Sequence, residues 1–172
     1  MRVDKQSLKI VGVQSEDQIA EVARLADITW RDHYIPIVGQ AQVEYMLEKF
    51  QSEKAIADQI ADGYEYYLLT EEGEGRGYLA VVKDENDRSL FLSKIYVLKS
   101  ARGCGYGRKL LAYAENLCRE QGLKTIWLTV NKNNTASIAW YLEMGFKKTG
   151  PIVQNIGNGF VMDDYRMEKC IG

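Results

Sequence analysis

Histidine occurs once in 172 residues, as His33, and that scarcity removes whole classes of chemistry. One imidazole poorly supplies a zinc centre or a serine triad. Cysteine is nearly as scarce. Cys104, Cys118 and Cys170 are odd in number, far apart and outside metal-ligand spacings. They fit reduced thiols in a cytoplasmic protein, with no metal expected. No run of about 18 apolar residues exists, and MRVDKQSLKIVGVQ lacks the apolar segment of a secretory signal, so no membrane span or export is expected. The formal charge of −2 gives no electrostatic reason to expect nucleic acid or an anionic membrane as partner. What is present is a globular composition, 46% hydrophobic and 27% charged, which argues for a folded chain of one domain over residues 1–172. Tyrosine is abundant, with 11 copies, and suits a groove with apolar walls and polar tips.

The stretch from Ser93 to Arg119 organises the rest. An apolar strand pattern over Ser93–Leu98 runs into a basic turn and then Gly103-Cys104-Gly105-Tyr106-Gly107. Leu110, Leu111, Ala114, Leu117 and Cys118 follow on one helical face, and Gly122 stands where a helix ends. A strand feeding a glycine turn that opens a helix is suited to phosphate. The first helical N–H groups have no partner within the helix, and the dipole adds partial positive charge. Arg102, Arg108 and Lys109 add full charges beside it. A dinucleotide fingerprint started at Gly103 needs glycine at 108, where arginine stands, and no P-loop string occurs.

The string Arg102-Gly103-Cys104-Gly105-Tyr106-Gly107 resembles the R/Q-x-x-G-x-G/A signature of the GCN5-related N-acetyltransferases. About thirty residues on, Asn134, Ser137, Tyr141, Gly145 and Phe146 resemble that family's second signature, N-x-x-A/S-x-x-x-Y-x-x-x-G-F. The resemblance implies an α/β (α+β) fold: a mixed, mostly antiparallel central sheet with helices on both faces, whose central strands splay to admit the cofactor. It also implies acetyl-coenzyme A as co-substrate. Backbone groups of Ile95, Tyr96 and Val97 would pair with the pantetheine arm as strand pairs with strand. Residues Gly103 to Arg108, beside Arg102, would hold the pyrophosphate. Asn134 and Ser137 would lie near the pantetheine, and Tyr141 would point its hydroxyl at the sulfur. From the residues alone, Asn134 serves equally as a helix N-cap, and Tyr141 as a core ring.

Along the chain, Ser7–Gln14 reads as a first strand, and Ser15 with Gln18 as a capping box. The helix it opens carries Ile19, Val22, Ala23 and Ala26 on one face, and Pro36 predicts its end near Trp30–Tyr34. A second helix carries Val43, Met46, Leu47 and Phe50, and Ser52 caps a third through Ile56 and Ile60. Tyr64–Thr70 and Gly77–Lys83 read as strands joined by a loop over 71–76. Arg88–Leu98, Thr125–Val130, Phe146–Val153 and Phe160–Lys169 read as further strands, the last with sharp alternation.

The resemblance implies acetyl transfer to a primary amine, and a small-molecule acceptor, polyamine-like or amino-acid-like, reacting by direct attack is expected. Three alternatives stand beside it: a domain that binds or senses acyl-coenzyme A without turnover, a protein-interaction domain on the same fold, and an acetyltransferase of protein N-termini or lysines. A homodimer is common in the family. Direct attack needs a neutral amine, and at pH 7 only roughly one lysine-like amine in two thousand is neutral. Where some members of the family carry a glutamate base, this chain has Ser93, followed by Lys94, and neither is suited to accept a proton at neutral pH. Asp32, Glu44, Glu65 and His33 are unplaced candidates, so a water relay or an amine bound already neutral is expected in place of a dedicated base.

Overall fold

A computed structural model describes residues 8–171; Ser7, where the first predicted strand begins, lies outside the described residues. The order is β1 (Leu8–Gly12), α1 (Glu16–Val38), α2 (Gln40–Gln51), α3 (Glu53–Ala61), β2 (Glu65–Glu71), β3 (Glu74–Asp84) and β4 (Ser89–Val97). A 3-10 turn over Lys99–Ala101 leads to α4 (Tyr106–Glu120), β5 (Thr125–Asn131), α5 (Thr135–Glu143), β6 (Lys147–Gly157) and β7 (Phe160–Cys170). The strands form one seven-stranded sheet in the order β1-β2-β3-β4-β5-β7-β6. The β4/β5 pair is parallel; β1/β2, β2/β3, β5/β7 and β6/β7 are antiparallel. This is the mixed, mostly antiparallel sheet expected. Among the described residues no helix is long and apolar enough to cross a membrane. Contact density divides the described chain into two compact units, residues 8–82 with 94–114, and 83–93 with 115–171.

In the first unit the capping box forms as read: Ser15 Oγ accepts from the Gln18 amide, and Gln18 Oε1 accepts from the Ser15 amide. The buried stripe of α1 is Val22, Leu25, Ala26, Thr29 and Trp30; Ile19 and Ala23, placed on it from sequence, are only half-buried. The predicted stop near Trp30–Tyr34 is wrong. The helix runs through Pro36 to Val38, and the Gly39 amide still donates to the Ile35 carbonyl at 3.0 Å. Pro36 sits in the last turn with its ring exposed, so it removes one helical hydrogen bond without ending the helix. Ser52 caps α3 by accepting from the Ala55 amide at 3.1 Å. The loop read over 71–76 tightens to Glu72-Gly73, both at positive φ (52° and 81°), the geometry a two-residue hairpin prefers. Successive residues of β2 face opposite ways. Tyr67 meets Tyr113 of α4 at 4.9 Å between ring centres, and Tyr66 meets Gln51 and Gln59 of α2 and α3. Helices therefore cover both faces here.

In the second unit Ile126, Leu128 and Val130 are buried, as their alternation predicted. On the other face of β5, Trp127 stacks on Phe91 at 4.2 Å, and the Arg166 guanidinium lies 4.0 Å over its ring. The β4/β5 ladder runs from Ser89↔Thr125 to Phe91↔Trp127, while β4 itself runs on to Val97 and β5 to Asn131. β6 extends to Gly157, past the predicted end at Val153, absorbing register shifts at Lys148/Gly150 and Asn155/Gly157. The alternation of β7 is not clean. Asp164 and Met167 are both buried although three residues apart, so they sit on opposite faces.

Candidate active site

The glycine turn folds as the sequence implies. Gly103 and Gly105 have φ of 83° and 77°, a backbone that residues with a Cβ rarely adopt, while Gly107 lies inside the first turn of α4. A cavity of about 400 Å³ opens at this helix N-terminus, lined by Val97, Ala101, Arg102, Gly103 and the run Gly105–Arg108. Backbone N–H groups of the helix start and two guanidinium groups thus share one concave site, which suits a multiply charged anion. Cys104 is exposed and, although in the turn, is not among the residues lining the cavity. The Tyr106 hydroxyl donates to the Glu71 carboxylate, tying the helix start to the end of β2 and raising the phenol above its ordinary range.

The end of β4 reaches this cavity through Val97. Ile95, Tyr96 and Val97 are half-buried. Gly77 on β3 lets them lie where they do: a Cβ there would come 2.6 Å from the Tyr96 carbonyl oxygen and 3.3 Å from the Val97 Cα. The neighbouring Leu98 amide donates to the Arg76 carbonyl at 2.8 Å. Tyr96 belongs to a cluster of rings with α1. Its hydroxyl shares a 2.7 Å hydrogen bond with that of Tyr34, and its ring lies 5.7 Å from Trp30. His33 meets Tyr34 edge-on at 4.9 Å and Tyr96 at 6.4 Å. Burial first, and the charge of Arg102 second, push the His33 imidazole below its ordinary value. Of the other candidates read from the N-terminal third, Asp32 is exposed, and Glu44 is exposed and faces Arg31 at 3.5 Å.

Sequence reading missed a polar chain beneath this cluster. Trp30 Nε1 donates to the Tyr78 hydroxyl (2.9 Å), which donates to Gln51 Oε1 (2.7 Å). Gln51 Nε2 donates to the Tyr66 hydroxyl (3.0 Å), which donates to Gln59 Oε1 (2.5 Å). Lys94 Nζ ends the chain on that same oxygen at 3.2 Å, 5.1 and 5.6 Å from the Tyr64 and Tyr66 ring centres. Lys94 is 8% exposed, and burial lowers its ammonium to about 8. At pH 7 a group near 8 is still mostly ammonium, so Lys94 remains a donor here, as its contact with Gln59 Oε1 requires. Its one sequence signal is a lysine inside the otherwise apolar LFLSKIYVL.

In the second unit Asn134 is 5% exposed and caps α5, its Oδ1 accepting from the Ser137 amide at 3.2 Å. The capping role read from sequence is therefore real, and Ser137 takes part through its backbone. Tyr141, half-buried, meets Trp140 and Phe146 at ring distances of 5.2 and 5.6 Å. Asp164 on β7, 2% exposed, was not singled out from sequence. Its carboxyl accepts a hydrogen bond from Thr129, its Oδ1 has no hydrogen-bond partner among the described residues, and burial raises it to about 6.

The chain resembles known proteins over nearly its whole length. An uncharacterized N-acetyltransferase from the pepI 3′ region of Lactobacillus delbrueckii subsp. lactis is 28% identical over 171 residues, 95% of this chain and 98% of the relative. Streptothricin acetyltransferase of Streptomyces lavendulae is 32% identical over 90 residues, 52% of this chain and 48% of that protein. The crystal structure of PaiA N-acetyltransferase from Thermoplasma acidophilum, in complex with coenzyme A, shares the fold at a TM-score of 0.80 and 18% identity, covering 95% of this chain and 99% of that one. The model of the acetyltransferase (GNAT) family matches residues 20–146, which take in the glycine turn, β5 and the α5 signature. On that match the chain belongs to the GNAT family and is an acetyl-coenzyme A-dependent N-acetyltransferase.

Proposed function

We propose that this enzyme acetylates the primary amine of a small molecule, polyamine-like or amino-acid-like, by direct attack on acetyl-coenzyme A. The observation that carries the reading is the cavity at the start of α4, where Arg102, Arg108 and the helix N-terminus suit a pyrophosphate. In this reading Ile95, Tyr96 and Val97 pair through backbone groups with the pantetheine arm, close to the cavity mouth at Val97. Asn134 and Ser137 hold the α5 helix start, and Tyr141 supplies a hydroxyl to the departing sulfur. A phenol near 10 giving its proton to a thiolate near 8.5 is slightly uphill, so hydrogen bonding to the sulfur is its main service. The half-buried Tyr34 and Tyr96, packed on the buried Trp30, support an acceptor side with apolar walls and phenol tips.

The test is thiol release from acetyl-coenzyme A with spermidine, lysine amide, streptothricin and an alanine-initiated peptide, for the native protein and Gly105→Glu. Turnover with one of the small amines, and loss of at least tenfold in coenzyme A affinity in the variant, is expected, since each charge-assisted hydrogen bond lost costs about 1.5 to 3 kcal/mol. Turnover with the peptide alone replaces the small-molecule acceptor by a protein. Coenzyme A binding without turnover on any amine leaves a binding domain.

A further inference from the structure

We propose that His33 is the proton acceptor of this site, the imidazole that takes a proton from the acceptor amine as its nitrogen attacks the thioester. The inference rests on the acetyl-transfer reading above and replaces the expectation of an undedicated base. Its ground is position. His33 projects from α1 into ring contact with Tyr96, the middle residue of the β4 segment assigned to the pantetheine arm, and with Tyr34, whose hydroxyl is bonded to that of Tyr96. That arm carries the acyl group, and His33, the one histidine of the sequence, is set against the segment that pairs with it. The ring is half-buried, which keeps one side walled by tyrosines while the residue still reaches the surface.

The charged surroundings set its state. On its own helix His33 follows Arg31, which is engaged by Asp27 at 3.0 Å and by Glu44 of α2 at 3.5 Å, and Asp32, which is exposed. β4 contributes the Tyr96 phenol, and the glycine turn contributes Arg102. Burial and Arg102 both disfavour the imidazolium and so favour the neutral, proton-accepting ring. Phosphates bound in the cavity neutralise Arg102 and remove one of those two restraints. The imidazole therefore gains basicity when the donor is in place, and the two events are linked reciprocally.

The step balances with the groups named. The ammonium form of the acceptor gives one proton to His33. The nitrogen pair of the neutral amine then forms the C–N bond at the acetyl carbonyl, the C–S bond breaks, and the thiolate takes the second nitrogen proton. His33 then releases its proton to solvent, so one proton leaves per turnover.

Because His33 is the only histidine in the sequence, its imidazole gives a single, unambiguous set of proton resonances. Titrated by NMR, its midpoint should lie below 6.5 in the free protein and rise in saturating coenzyme A, and Arg102→Gln should remove that rise. His33→Ala should lower kcat by about 100-fold or more and abolish the rising limb of the kcat/KM–pH profile, with coenzyme A affinity kept. Added imidazole should restore part of the rate, which a merely structural role would not allow. His33→Asn gives the same comparison should the alanine variant not fold. A midpoint unmoved by coenzyme A, or a variant that keeps its rate and its pH limb while the native enzyme turns over, overturns the proposal. A native protein that binds coenzyme A but releases thiol with no amine tested removes the transfer reading, and this proposal with it.

Discussion

Gly77 faces the carbonyl oxygen of Tyr96 so closely that a Cβ at position 77 would lie 2.6 Å from it. Its φ is not positive, so the demand for glycine here is one of space and not of backbone conformation. Gly77→Ala should push β4 away at Tyr96–Val97, destabilising the protein by about 1 to 3 kcal/mol in urea denaturation. Coenzyme A affinity should fall with it, as read by calorimetry. Gly150→Ala, where a Cβ would meet nothing within 4 Å, is the control and should leave affinity intact.

Tyr141→Phe keeps the ring contacts with Trp140 and Phe146 and deletes only the hydroxyl. If the hydroxyl serves the sulfur, kcat falls while coenzyme A binding and the thermal melt stay nearly unchanged. Steady-state kinetics beside the melt reads both quantities, and an unchanged kcat would leave Tyr141 as packing.

Lys94 has an ammonium lowered to about 8 by burial against an ordinary value of 10.5. Between those values the unfolded chain binds more protons than the folded one, so native stability should rise as pH climbs from 8 to 10.5. The shift corresponds to about 3 kcal/mol as an upper figure. Lys94→Met should be flat over the same window and at least as stable at pH 7, because a well-packed apolar chain replaces a desolvated charge. Urea midpoints taken at pH 7, 8.5 and 10 decide it.

Asp164 works in the opposite sense and in a different window. Its carboxyl is raised to about 6 from 3.8, so between these values the folded state binds more protons than the unfolded one. Native stability should fall as pH rises from about 4 through 6. Asp164→Asn removes the charge at the same shape. Its advantage over the native protein should be absent near pH 4 and full above pH 7, a gap visible in paired denaturation curves.

Local rules and motif spacing were legible in the sequence because the interactions behind them lie within a few residues. Ser15 and Gln18 close their capping box three residues apart, Asn134 caps through the Ser137 amide, and the glycines at 103 and 105 announce their positive φ. Pro36 misled for a physical reason: proline in a last turn costs one hydrogen bond, and the Gly39 amide bonded to Ile35 completes the turn regardless. What could not be read depends on which strands become neighbours. The Lys94–Gln59 contact joins residues 35 apart and Trp30–Tyr78 residues 48 apart. Asp164 looked like one of several exposed alternations until β6 and β5 flanked it, opposite Ile152 and Asn131. The ring contacts of His33 likewise exist only once α1 lies over β4.

The polar chain from Trp30 to Gln59 runs in one direction, each side chain accepting from the link before it and donating to the next, with Lys94 donating from the far end. Its six members come from six different elements, α1, β3, α2, β2, α3 and β4, one from each. A helix docked one turn out of place would therefore bury donors and acceptors with nothing opposite them, at a cost of about 1 to 3 kcal/mol for each. Apolar side chains forgive such slippage, since one methyl group packs much like another. This row of hydroxyls and amides does not: it works as a combination lock for the first unit, admitting one docking of its three N-terminal helices and penalising the near misses.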